Sequence, residues 1–241
     1  MYKFSILVFL CVCLSIFLNG ALCFQGFRKV CTDTTPQCLR ETVQAALPDF
    51  IQGIPQLGIS SLDPFVVKSL NLTLPGGLNV EFTNGYAKGL KNCIIESMTK
   101  SGDTYELIYK CNFVIKGKYH YSGDILYFNL HGAGDTIITS KNVVTKWTFQ
   151  LVTINKDGKE YFQMKNFNSS INYEGRVHYY MTNLIPGNPE MSKTILTYMN
   201  QNWRNIAQEF GGPVFKYGVE TILHNVYKLF DSVPKDNIIQ P

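Results

Sequence analysis

From about Leu70 to Tyr180 the chain alternates apolar with polar residues, with no helical stretch in between. Leu70, Leu72 and Leu74 share one parity, as do Tyr105, Leu107, Tyr109, Cys111, Phe113 and Ile115, and as do Trp147, Phe149 and Leu151. A period of two places each set on one face of a strand and leaves the other face polar. The period then changes. Ile195, Met199, Trp203, Ile206 and Phe210 form one helical stripe; Phe215, Val219, Ile222, Val226 and Leu229 form another. Gly211-Gly212-Pro213 lies between them and either breaks or kinks the helix. Strands that precede helices without alternating with them define an α+β chain with an antiparallel sheet. A helix of roughly 35 residues would be about 50 Å long at 1.5 Å per residue. It needs an equally long partner, and a strongly curved sheet wrapped around it supplies one.

Upstream, Thr35 and Pro36 mark a helix start as N-cap and N1. Leu39, Val43, Ala46, Leu47 and Phe50 recur at helical spacing, and this short N-terminal helix is expected to stop before Gly53 and Pro55. Two turns set the sheet register. Ser101-Gly102-Asp103 predicts a three-residue loop that brings Cys93 opposite Cys111. Asn155-Lys156-Asp157-Gly158 predicts a type I turn with a Gly bulge, setting Trp147 opposite Phe167. A two-residue Asp-Gly turn there would put the apolar sets on opposite faces. Gly132-Ala133-Gly134 reads as a further turn, because no helix follows it to make a nucleotide loop.

The first segment stands apart from the fold. Met1-Tyr2-Lys3 is a short basic start, Phe4 to Leu18 is apolar except for Ser5 and Ser15, and small residues precede a cleavage point after Cys23. The apolar run is shorter than the roughly 20 residues a membrane span needs. Residues 1–23 are therefore expected to be a secretory signal peptide, leaving 24–241 as a single domain that is secreted. No later stretch is long and apolar enough to span a bilayer. Removing Cys11, Cys13 and Cys23 from seven cysteines leaves four: Cys31, Cys38, Cys93 and Cys111. An even number in an exported chain predicts disulfides, with three pairings open. Hairpin register favours Cys93–Cys111, and a Cys31–Cys38 bridge would tie the new N-terminus to the first helix. Asn71 and Asn168 begin N-glycosylation sequons on the polar faces of their strands, which suits export.

Net charge is +4, from 22 basic and 18 acidic side chains with no basic run, so nucleic acid is excluded as a partner. Four histidines (His120, His131, His178, His224) form no HExxH and no metal-ligand spacing, and GxSxG is absent. No metal, cofactor or catalytic role is expected. The aromatic content, 14 Tyr, 16 Phe and 2 Trp, is the better clue. A packed core and a lined cavity use the same side chains, so residue type alone does not separate them.

Ile54-Pro55-Gln56-Leu57-Gly58-Ile59-Ser60-Ser61-Leu62-Asp63-Pro64 resembles the takeout and juvenile hormone-binding protein family of insects. So do the cysteines around the first helix start, Gly117-Lys118-Tyr119 with Gly123-Asp124-Ile125-Leu126, Gly132-Ala133-Gly134, Asn202-Trp203 and Val233-Pro234-Lys235-Asp236. The likeness runs from about Val30 to Ile239 and rests on the order and spacing of loose motifs. It implies a long helix wrapped by a curved antiparallel sheet around a tunnel for terpenoid or fatty-acyl ligands, and it implies the Cys31–Cys38 bridge. Cys93–Cys111 stands outside that pattern. The tunnel wall is expected to draw on Leu39, Val43, Leu47 and Phe50 of the first helix. Tyr119, Tyr121, Tyr127, Trp147 and Phe149 would come from the sheet, and Trp203, Phe210, Phe215, Ile222 and Val226 from the C-terminal helix. The function expected is a monomeric, non-enzymatic carrier of a small hydrophobic ligand. The alternative is a secreted effector acting on membranes or on an unidentified receptor.

Overall fold

The computed structural model describes residue 31 and residues 33–239, apart from 126 and 127. Helix α1 (Pro36–Gln52) begins where Thr35 Oγ1 accepts the Cys38 N–H at 3.4 Å and ends at Gly53, φ 94°. Antiparallel strands follow: β1 (Phe65–Leu74), β2 (Leu78–Lys88), β3 (Ile94–Ser101), β4 (Thr104–Ile125), β5 (Phe128–Lys156), β6 (Lys159–Tyr173) and β7 (Val177–Met181). The chain closes with α2 (Pro189–Gln201), α3 (Trp203–Phe210) and α4 (Gly212–Ser232).

The long β4–β5 hairpin is the spine of one seven-stranded sheet. Along β4, β3 pairs the first half and β2 the second, with β1 beyond β2. Along β5, β7 pairs the first half and β6 the second. The register shifts between Thr83 and Tyr86 of β2, opposite Asn142 of β5, and opposite Phe149 where β6 carries an extra residue. Each of these bulges holds an asparagine in the left-handed region: Asn84 at φ 50°, Asn142 at 48° and Asn166 at 51°. Asparagine tolerates that conformation better than other non-glycine residues. A bulge bends its strand and increases its twist, so three of them coil the sheet into a trough.

Both hairpin turns differ from the expected ones. Ser101 pairs directly with Thr104, so the first loop has only Gly102 and Asp103. The missing residue is recovered by a register shift between Ile95 and Ser97. Cys93 therefore still meets Cys111, and the two are disulfide-bonded with Cα atoms 4.5 Å apart. In the second hairpin Lys156 pairs with Lys159, and Trp147 faces Ser169 rather than Phe167. Asp157 (φ 50°) and Gly158 (φ 78°) are both left-handed, the combination whose twist suits a two-residue hairpin. The apolar faces stay together because the Asn166 bulge changes the parity of β6. Phe162 and Met164 are buried before it and Phe167 packs inward after it. Trp147 and Phe167 still touch edge to face, centroids 5.2 Å apart.

The C-terminal helical run bends twice. Pro213 has no N–H for the turn before it, but Gly211 N–H donates to Ala207 O and Phe215 N–H to Gly211 O, each at 2.9 Å, so the ladder crosses the kink. At Asn202 the side-chain Nδ2 donates to Tyr198 O at 3.0 Å beside the backbone bond to the same carbonyl. This local competition was not anticipated from the sequence stripe. Helix α4 comes nearest the sheet along β6 and β1, the two ends of the strand order, and so lies across the trough. Helix α1 covers the exposed edge of β3: Ile95 N–H donates to Gln44 Oε1 at 2.7 Å and Gln44 Nε2 to Cys93 O at 3.2 Å.

The expected Cys31–Cys38 bridge is not formed in this structure; both are free thiols. The buried Cys31 Sγ lies instead against the first turns of α1, sharing a hydrogen bond with Thr42 Oγ1 at 3.2 Å. Burial pushes its thiol up to about 11, with the neighbouring Cys38 side chain adding to the shift.

Candidate functional site

The interior between sheet and helices divides into apolar clusters. At one end Tyr119, Tyr121 and Leu184 are buried together, flanked by Leu78, Val80, Leu130, Met181, Ile195, Leu196 and Met199. Tyr119 faces Gly134 and Tyr121 faces Gly132 across the hairpin, so Gly132-Ala133-Gly134 is strand, not turn. The reason is close approach. A Cβ on Gly132 would overlap Leu184 O and the Tyr121 ring, and one on Gly134 would overlap Thr182 O. The chain after β7 thus crosses directly over the strand. Tyr119 OH donates to Thr182 O at 2.7 Å and Tyr121 OH to Leu184 O at 2.6 Å. Burial, with Tyr121 alongside, pushes the Tyr119 phenol up to about 12, and burial raises Tyr121 as well. Nearby, the Phe82 ring lies over Gly85 and Gly117, where a side chain on either glycine would stand.

The opposite end is a dense aromatic core. Tyr105 stacks on Phe149 at 5.7 Å, and Tyr109 meets Trp147 edge-on at 5.6 Å. Leu39 of α1, Leu151, Phe162 and Met164 of the sheet and Val219 and Leu223 of α4 complete it. A further cluster, of Phe50, Ile51, Ile54, Ile59, Leu62, Leu229 and Val233, closes α1 against the end of α4.

Between the ends the packing is looser. Val177, Tyr179 and Ala207 are buried, but Ile138, Tyr173, Leu196, Met199, Trp203 and Ile206 around them remain half-buried. Gly211 at the helix kink leaves room for the Tyr173 hydroxyl, which would lie 2.5 Å from a Cβ there.

The expected wall residues therefore separate. Leu39, Trp147 and Phe149 are buried in the aromatic core, Phe50 in the α1–α4 cluster, and Tyr119 and Tyr121 under the crossing chain. Val43, Leu47, Phe215, Ile222 and Val226 are partly buried against the core clusters. Trp203 is half-buried in the looser middle, Phe210 is half-buried at the end of α3, and Tyr127 lies outside the described residues. Sequence reasoning missed Phe82, Ile138, Tyr173, Tyr179 and Leu196; for the strand residues, inward parity was the available signal. Both sequon asparagines, Asn71 and Asn168, are exposed. A separate cleft of 460 Å³ opens to solvent beside α4, where Leu62, Phe65 and Tyr217 line it together with Glu220, His224 and Lys228. Among the described residues, no group of three or more His, Cys, Asp or Glu side chains comes together as a metal site. No helix of the described residues is long and apolar enough to cross a membrane.

A curved antiparallel sheet closed over an apolar interior by C-terminal helices defines the fold class. Residues 6–240 match the family model of haemolymph juvenile hormone binding protein (JHBP), and the chain belongs to that family. It is 23% identical over 227 residues to the circadian clock-controlled protein daywake of Drosophila melanogaster, covering 88% of this chain and 86% of that one. The daywake protein of Drosophila yakuba is 22% identical over 233 residues, covering 90% and 89%. The crystal structure of Takeout 1 from Epiphyas postvittana superposes with a TM-score of 0.81 at 26% identity, covering 88% of this chain and 100% of that one.

Proposed function

We propose that this protein is a secreted carrier that holds one elongated apolar molecule, of terpenoid or fatty-acyl type, between the sheet and the helices. The observation that carries this reading is the contrast in burial along the interior. The aromatic core buries Trp147, Phe149 and their neighbours, while Ile138, Tyr173, Trp203 and Ile206 stay half-buried between the two layers. Covering that surface with an apolar guest removes it from water at about 25 cal/mol per Å². Family membership and the likeness to Takeout 1 support the same reading. The protein acts by binding alone, as a monomer, and no catalytic step is asked of it.

Export follows from the basic start and apolar run of residues 1–23, with the mature chain beginning near Phe24. In that setting Asn71 and Asn168 carry glycans on outward faces, and oxidation closes Cys31 onto Cys38.

The test is uptake of N-phenylnaphthylamine by the purified, delipidated, folded protein. Saturable binding at about one probe per chain, with a co-purifying lipid released on extraction, is expected. A folded protein that takes up no apolar probe overturns the carrier reading. N-terminal sequencing that finds Met1 on secreted material overturns the leader.

A further inference from the structure

Registered pairs across the sheet line up Val66 of β1, Tyr86 of β2, Lys116 of β4, Ile137 of β5 and Tyr180 of β7 in one row. At about 4.8 Å per strand the row is about 19 Å long. Its chain neighbours Val67, Gly117, Thr136 and Tyr179 are buried, so alternation puts the row on the outer face of the sheet, away from the helices. The next row runs from Lys88 through Val114 and Thr139 to His178. On the other side Thr83, Lys118 and Asp135 form a third row. Lys68 stands between the Val67–Gly85 and Ser69–Thr83 pairs, at the Asn84 bulge.

Apolar exposure and unmatched charge coincide on this face. Val66 is 64% exposed, Tyr180 48% and Val114 38%. Single exposed apolar side chains are ordinary, but a group of them on one face marks an interaction surface. Lys68, Lys88, Lys116 and Lys118 are exposed among them, and among the described residues none lies within ion-pair distance of a carboxylate. Lysines elsewhere do pair: Lys110 with Glu96 and Glu174, Lys146 with Glu106, Lys156 with Asp231. Lys88 Nζ lies instead over the Tyr86 ring, 4.8 Å from its centroid. Asp135, opposite Lys118, and Glu81, opposite His120, border the patch on one side; the rows of Tyr86 and Lys88 hold no carboxylate. A soluble polyanion would meet the lysines and leave Val66, Val114 and Tyr180 in water. A purely apolar partner would cover those side chains and leave four cations unmatched. A bilayer with anionic head groups meets both needs, because lysine ammonium groups reach the phosphate level on flexible stems while valine and tyrosine enter the interface.

We infer that this outer face docks on a bilayer surface rich in anionic lipid, with Lys68, Lys88, Lys116 and Lys118 at the head groups and Val66, Val114 and Tyr180 in the interface. Attachment is peripheral, and salt screens it. The contact lies on the opposite side of the sheet from the interior, so it stands or falls independently of the carrier reading.

The experiment co-sediments the secreted, delipidated protein with vesicles of phosphatidylcholine alone and of phosphatidylcholine with phosphatidylserine, at low and high salt. At low salt, binding to the anionic vesicles should be about a hundredfold tighter than to the neutral ones, and the difference should collapse at high salt. Each lysine near an anionic surface contributes about fivefold, so the Lys88→Gln, Lys116→Gln pair should weaken anionic binding about twenty-five-fold. The Val66→Ser, Val114→Ser pair should weaken it without changing its salt dependence. Lys193→Gln, an exposed position on α2 and off this face, should leave it unchanged. All these positions are exposed, and circular dichroism checks that each variant is folded. N-phenylnaphthylamine uptake is read separately, so the docking face and the carrier reading can each fail alone. No binding to vesicles, equal binding to both kinds, or anionic binding that survives the lysine substitutions overturns the inference. Lysine-dependent binding to soluble polyglutamate without binding to vesicles also overturns it, and would identify an acidic protein as the partner.

Discussion

The Tyr121 hydroxyl donates to the Leu184 carbonyl at 2.6 Å, passing over Gly132, its partner on the adjacent strand. The bond anchors the chain that leaves β7 across the end of the trough. Tyr121→Phe removes the donor and leaves a buried carbonyl unpaired, so it should destabilise the protein by about 1–3 kcal/mol. Urea unfolding followed by far-ultraviolet circular dichroism measures this; an unchanged midpoint would show that the anchor contributes nothing.

Gly134 lies under the Thr182 carbonyl, with no space for a Cβ. Gly134→Ala should therefore cost about 1–3 kcal/mol through overpacking and loosen the crossing segment. Limited proteolysis between Thr182 and Asn188 should become faster than in the wild type, ahead of any cleavage in β5.

Buried phenols make the fold sensitive to alkali. Tyr119 keeps its proton up to about pH 12 in the folded state, while an unfolded tyrosine releases it near the ordinary value of 10. Between those values the unfolded state binds fewer protons, so stability is intact below about pH 10 and falls as pH rises toward 12. Tyrosinate absorbance should show the buried phenols, Tyr119 among them, ionising only with unfolding. In Tyr119→Phe the alkaline unfolding midpoint should move upward relative to its own stability at neutral pH.

Stability and binding should separate between the core and the middle of the interior. Phe149 is 4% exposed and stacked on Tyr105, so Phe149→Ala should cost about 3–5 kcal/mol, as in other well-packed cores. Trp203 is half-buried, so Trp203→Ala should lower the thermal midpoint less and weaken probe affinity more. Equal losses of stability in the two variants would show that Trp203 is ordinary core.

The Cys93–Cys111 bond closes a loop with a sequence separation of 18. Replacing both cysteines with alanine should cost about 3 kcal/mol on the loop-entropy model. In reduced, folded protein, iodoacetamide should label the half-buried Cys38 before the buried Cys31, whose thiol is pushed up to about 11. Non-reducing peptide mapping of secreted protein should join Cys31 to Cys38; a link from either to Cys93 would refute that pairing.

The sequence by itself determined what local chemistry determines. Thr35 with Pro36, and Gly53, bound α1 where expected, because caps are satisfied within a turn of the chain. Alternation identified the strands and the change of period identified the helices, since both follow from which side chains need burial. The tertiary structure decided what depends on a partner strand. The bulges at Asn84, Asn142 and Asn166 reverse parity within a strand, and the two-residue turns work only because the shift between Ile95 and Ser97 compensates in the first hairpin and the Asn166 bulge in the second. Gly132 and Gly134 look like a turn until the chain around Thr182–Leu184 is laid over them, some fifty positions later. The wall of the interior was hidden for a related reason. Trp147 and Trp203 are the same residue type, each on an apolar stripe, yet one is buried among Tyr109, Phe149 and Phe167 while the other stays half-buried beside Tyr179. Whether an apolar side chain is sealed or stays half-buried depends on how closely the coiled sheet and the helices approach each other around it, and that approach is a property of the assembled layers.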